Sequence, residues 1–69
     1  MKQYELRFLD KLEFPVVVRA YAADDDLKAL LEAKRQSATH MIEVWEGSRR
    51  VARVKKGDLP ATPIDRLAG

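Results

Sequence analysis

Residues Met41–Lys56 read MIEVWEGSRRVARVKK, and their pairing decides the fold. Met41–Trp45 and Val51–Val54 carry the β-branched and aromatic residues that suit a pleated, half-buried surface. Between them, Gly47 supplies the positive φ of a tight hairpin turn and Ser48 tolerates turn geometry. A two-residue loop at Glu46-Gly47 sets Ile42 opposite Val51. A three-residue loop at Gly47-Ser48-Arg49 sets Ile42 opposite Val54 and Val44 opposite Ala52. The second is expected, because Ile42, Val44, Ala52 and Val54 then share one face, and a one-residue slip would send half of them to solvent. The other face would carry Met41, Trp45 and Val51 and needs a cover or a partner.

Upstream, Gln3–Leu9 alternates, with Tyr4, Leu6 and Phe8 on one side and Gln3, Glu5 and Arg7 on the other. Asp10–Glu13 forms a turn without glycine. Pro15 opens a second strand, Val16–Tyr21, in which Val16, Val18 and Ala20 face one way and Val17, Arg19 and Tyr21 the other. The period then changes. Leu27, Leu30 and Leu31 fall on one face of a helix over about residues 24–37, with acidic residues at its start and Lys34 and Arg35 at its end. Downstream, Thr62-Pro63-Ile64-Asp65-Arg66-Leu67 has the grammar of one helical turn, a Thr N-cap followed by Pro at N1. Ile64 and Leu67 could pack on the second face of the sheet.

The order is ββαββ, an α+β fold: a four-stranded, mainly antiparallel sheet with one helix packed on one face and a C-terminal extended tail. Residues 1–56 make a single domain; residues 57–69 are the tail, either loose or docked on the sheet. The expected core is Tyr4, Leu6, Phe8, Val16, Val18, Ala20, Leu27, Leu30, Leu31, Ile42, Val44, Ala52 and Val54.

Three phrases carry a resemblance. Tyr4-x-Leu6-x-Phe8-Leu9-Asp10, Ala23-Asp24-Asp25 and Ile42-Glu43-Val44-Trp45-Glu46-Gly47 followed by Arg50-Val51-Ala52-Arg53-Val54 together resemble a family of short, uncharacterised bacterial proteins. Its members share this length and element order and a phrase like ELWDGARLVARL near the end. The resemblance covers about residues 3–54, implies an α+β fold and brings no assigned activity. The chain departs from the family at Lys11–Pro15, where a glycine-bearing turn is expected.

Sixty-nine residues, 46% hydrophobic and 35% charged with a formal charge of +2, make a globular composition. So short a chain buries only about 60% of its unfolded surface. Disulfides, metals or oligomerisation usually make up the difference. There is no cysteine, and one histidine cannot hold zinc alone, so no metal site and no cofactor is expected. That leaves oligomerisation or a docked tail. No apolar run approaches the ~20 residues of a membrane span. The start, MKQYELRF, lacks the apolar segment of a signal peptide, so a cytoplasmic location is expected.

Asp24-Asp25-Asp26 sits where a helix start favours carboxylates, and no calcium-loop pattern follows it. His40 is a lone imidazole with Ser37 and Thr39 nearby in sequence but nothing to orient them. No phosphate loop, nucleophile elbow or zinc-protease motif occurs, so an enzyme is not expected. Two surfaces remain. Trp45, Met41, Val51, Val17 and Tyr21 would form an apolar patch away from the helix, an interface for a homodimer or another protein with Trp45 as its anchor. Arg49, Arg50, Arg53, Lys55 and Lys56 crowd the second hairpin beside Trp45, an arrangement that suits nucleic-acid contact or protection of a strand edge. The leading expectation is a non-enzymatic interaction module that self-associates through the sheet face or an edge strand. The alternative is a small nucleic-acid binder using residues 45–56.

Overall fold

The computed structural model describes residues 1–57. Strand β1 (Lys2–Leu9), strand β2 (Pro15–Ala23), helix α1 (Asp26–Gln36), strand β3 (Met41–Glu46) and strand β4 (Arg49–Val54) follow in that order. All neighbouring strands are antiparallel, and the sheet runs β2-β1-β3-β4. The expected ββαββ α+β fold is therefore the one observed. The tail beyond Gly57, with its expected helical turn at residues 62–67, lies outside the described residues.

Strand β1 is the spine. Its alternation puts Tyr4, Leu6 and Phe8 in the core. Leu6 and Phe8 stand opposite Val44 and Ile42 of β3, and residues directly opposite in an antiparallel pair share a face. Ile42 in turn faces Val54, and Val44 faces Ala52, the pairing expected from the hairpin sequence. The loop differs. It holds only Gly47 and Ser48 between Glu46 and Arg49, and the surplus residue is absorbed by a register shift beside Val44. Gly47 has φ +60 and stands in open space, so its conformation, not crowding, calls for glycine.

The first turn manages without glycine. Asp10 Oδ1 accepts from the Leu12 and Phe14 N–H groups, both at 2.9 Å, and the Asp10 carbonyl accepts from Glu13 N–H at 2.9 Å. Glu13 takes the left-handed conformation itself, at φ 66. This turn, held by the Asp10 side chain, stands where the family resemblance implied a glycine.

Two expected core assignments are reversed. Val16, Val18 and Ala20 are exposed; Tyr21 and Ala23 of the same strand pack against or lie in the core. The reason is register: Tyr21 stands opposite Tyr4, Arg19 opposite Leu6 and Val17 opposite Phe8, so the odd-numbered residues share the helix side of the sheet. In α1, Leu27 and Leu31 are 61% and 46% exposed while Ala29 and Ala33 are fully buried and Leu30 is half-buried. The sheet-facing stripe is Asp26, Ala29, Leu30, Ala33 and Ser37, of which Ala29, Ala33 and Ser37 are buried, and these small residues let the helix lie close to the sheet. Leu9, absent from the expected core, is buried.

This helix phase has a direct consequence. Ala33→Leu overpacks the interface and should cost about 1–3 kcal/mol in urea unfolding, whereas Leu27→Ala should stay within about 0.5 kcal/mol of the parent.

Candidate functional site

The three acidic residues before the helix take three separate roles. Asp25 is the N-cap and accepts from Lys28 N–H at 2.9 Å. Asp24 pairs with the Lys28 ammonium at 3.0 Å, which raises the Lys28 pKa. Asp26 turns inward. Tyr4 Oη donates to its Oδ1 at 2.7 Å, and Arg49 of β4 reaches it at 3.2 Å while also pairing with Glu46. Arg49 beside it, then Tyr4, holds the Asp26 carboxyl below the usual range. Burial, then the hydrogen bond to Asp26, pushes Tyr4 up to about 12. Three divergent carboxylates do not make a metal cage, and no metal-ligating cluster occurs among the described residues.

His40 lies in the connection from α1 to β3. Its Nδ1 is 2.9 Å from Thr39 Oγ1, and its ring meets Phe8 edge-on at 6.2 Å. Ser37 is buried, and its hydroxyl donates to the Lys34 carbonyl at 2.9 Å, which caps the helix. Thr39 and His40 thus contact each other, while Ser37 is committed to the helix end.

Register divides the expected apolar patch. Met41 and Trp45 stand opposite Leu9 and Glu5 and face away from the helix. Val17 and Tyr21 stand opposite Phe8 and Tyr4 and face toward it. Val51 packs against the core. The five residues therefore do not form one surface.

The open face around Trp45 is instead a charged lattice. Arg7 lies 4.4 Å from the centroid of the Trp45 ring and pairs with Glu5 at 3.0 Å. Trp45 Nε1–H donates to Glu43 at 3.0 Å. Glu43, only 13% exposed, also receives Arg50 at 3.2 Å and Arg53 at 3.6 Å, and Arg53 pairs with Glu13 as well. Arg and Trp thus cover this face with their own stems and ring. Of the five candidate nucleic-acid contacts, Arg49, Arg50 and Arg53 are each held by carboxylates; Lys55 and Lys56 are in no ion pair among the described residues.

The feature that residue patterns did not reveal is the β2 edge. Val16, Val17 and Val18 are 52%, 42% and 53% exposed, and Leu12 and Phe14 in the adjoining turn are exposed too. Among the described residues, strand β2 has no neighbour on its outer side. Its β-branched composition was legible, but its edge position was not. No helix among the described residues is long and apolar enough to cross a membrane.

Two measurements check this geometry. Asp26, with its depressed pKa, adds stability that is complete above the ordinary carboxylate value of about 4 and fades as pH falls below it. The melting temperature of the parent should therefore fall more steeply below pH 4 than that of Asp26→Asn. Glu43→Gln removes two partly exposed ion pairs and should cost about 1 kcal/mol in urea, with a double-mutant cycle against Arg50→Ala recovering part of it. Searches against family models, curated proteins and solved structures find no match to this chain.

Proposed function

We propose that the protein is a non-enzymatic interaction module that self-associates through the free edge of β2. The observation that carries this reading is the contrast in charge between the two edges of one sheet. Both edge strands have an irregularity against their neighbour, but β4 carries three arginines in six residues. Strand β2, beyond Pro15 at its start, runs on with one arginine and three exposed valines in a row. Its outward N–H and C=O groups are a template for another strand, and an antiparallel β2–β2 pair closes as a symmetric dimer with a continuous eight-stranded sheet. Such pairing would also relieve the stability problem of so short a chain.

Nucleic-acid binding has less support. Arg49, Arg50 and Arg53 would have to exchange internal carboxylates for phosphates. An oligonucleotide titration would then show little of the salt dependence that phosphate contact demands.

Sedimentation equilibrium tests the main reading. The parent should show a concentration-dependent dimer. Val16→Lys/Val18→Lys places charges along the edge, at exposed positions, and should be monomeric with a helix and strand content unchanged by circular dichroism. A parent that stays monomeric at millimolar concentration, or a double variant that still dimerises, overturns it.

A further inference from the structure

At the end of the sheet opposite the Gly47 loop lies an open cleft of about 350 Å³. That volume is at the small end of the range for ligand pockets. The end of β1, the first turn, the start of β3 and the residue following Lys55 all contribute to it, so it joins segments distant in sequence. Leu9 and Met41, paired across β1 and β3, supply its apolar wall. Lys11 and Lys56 bring two ammonium groups that are in no ion pair among the described residues.

The two acidic residues at the cleft differ in how far they are engaged, since Asp10 is in no ion pair among the described residues. One Asp10 oxygen accepts two backbone N–H groups of the turn. Glu13 is paired with Arg53. His40 is fixed by Phe8 on its ring and by Thr39 at Nδ1. That contact leaves Nε2 as the ring nitrogen without a hydrogen bond among the described residues. With Glu13 offset by Arg53, two lysines against the one carboxylate of Asp10 leave the lining net positive, set against an apolar wall.

We propose that this cleft binds a small amphipathic carboxylate, one acid group on a compact apolar body. The acid lies between Lys11 and Lys56, and the body rests on Leu9 and Met41. Neither element suffices alone: an exposed lysine pair gives weak attraction in water, and the apolar wall is too small to hold a neutral ligand firmly. The site is independent of β2 pairing, since it uses the sheet end and not its edge.

The probes are benzoate, acetate and benzyl alcohol, titrated at constant ionic strength into the full chain labelled with ¹⁵N. Benzoate should give saturable amide shifts at Leu9, His40, Met41 and Lys56 with a millimolar Kd. Acetate lacks the apolar body and benzyl alcohol lacks the charge, so each should bind at least about fivefold more weakly. Lys11→Gln and Lys56→Gln are surface changes and should each weaken benzoate about two- to fivefold without moving the melting temperature. Shifts that do not saturate, benzyl alcohol binding as well as benzoate, or a Lys11→Gln/Lys56→Gln double variant with parental affinity would each overturn the proposal.

Discussion

The contact on which the rest depends is the inward turn of Asp26 onto Tyr4 and Arg49. It links the spine strand, the start of the helix and the outer strand of the second hairpin in one hydrogen-bonded group. Once Asp26 faces the sheet, helical geometry carries Ala29, Leu30, Ala33 and Ser37 to the same side. A second tie, from the Gly57 N–H to the Ser37 carbonyl at 2.6 Å, fixes the other end. These two ties favour the phase in which Leu27 and Leu31 face outward while Leu30 packs against the core. The small buried alanines then allow a close approach that leucines would forbid.

A sheet with a single helical layer must still protect its other face. Here the protection comes from the sheet itself. Glu43 sits at the centre of that face and gathers the Trp45 indole and two arginines around one nearly buried carboxylate. Arg7 lies over the face of the indole ring. Long aliphatic stems and an aromatic ring shield the backbone, while the charged heads reach water. An isolated surface ion pair contributes little. A network that orders several stems over apolar atoms contributes through packing as well as charge, which is why a tryptophan on this face does not amount to an exposed patch.

The sequence was informative wherever one face of an element was polar. Strand β1 alternates cleanly, so Tyr4, Leu6 and Phe8 were legible as core. The second hairpin was legible because only one register kept Ile42, Val44, Ala52 and Val54 together. Strand β2 and helix α1 were not, and for one reason: both carry apolar residues on two sides. In β2, the valines outnumber the residues that are buried, and the choice of face was made by pairing with β1. In α1, three leucines outweighed two alanines by hydrophobicity, although the Asp26 contact selected the alanines. A tertiary hydrogen bond cannot be read from periodicity. The partners of Arg49, Arg50 and Arg53 were hidden for the same cause, because Asp26, Glu43 and Glu13 reach them through the fold. The cleft was equally hidden, since its walls come from separated segments.

The misread elements are also where the surface is most apolar. Exposed Leu27 and Leu31 lie on the outer side of α1, and exposed Val16, Val17 and Val18 lie along β2. These two sites differ in kind. A helix satisfies its own backbone, so two outward leucines cost only the exposure of apolar atoms, and such residues are common on surfaces. An edge strand has a row of unpaired peptide groups beneath its side chains, and those groups give direction and register to anything that binds there. Hydrophobic exposure alone would favour loose association, whereas exposure on a β edge favours a defined strand-to-strand partner. The arginines of β4 sharpen the distinction: one edge carries charge and the other valine, so the pairing proposed above would extend the sheet at β2 and would end once two copies had met.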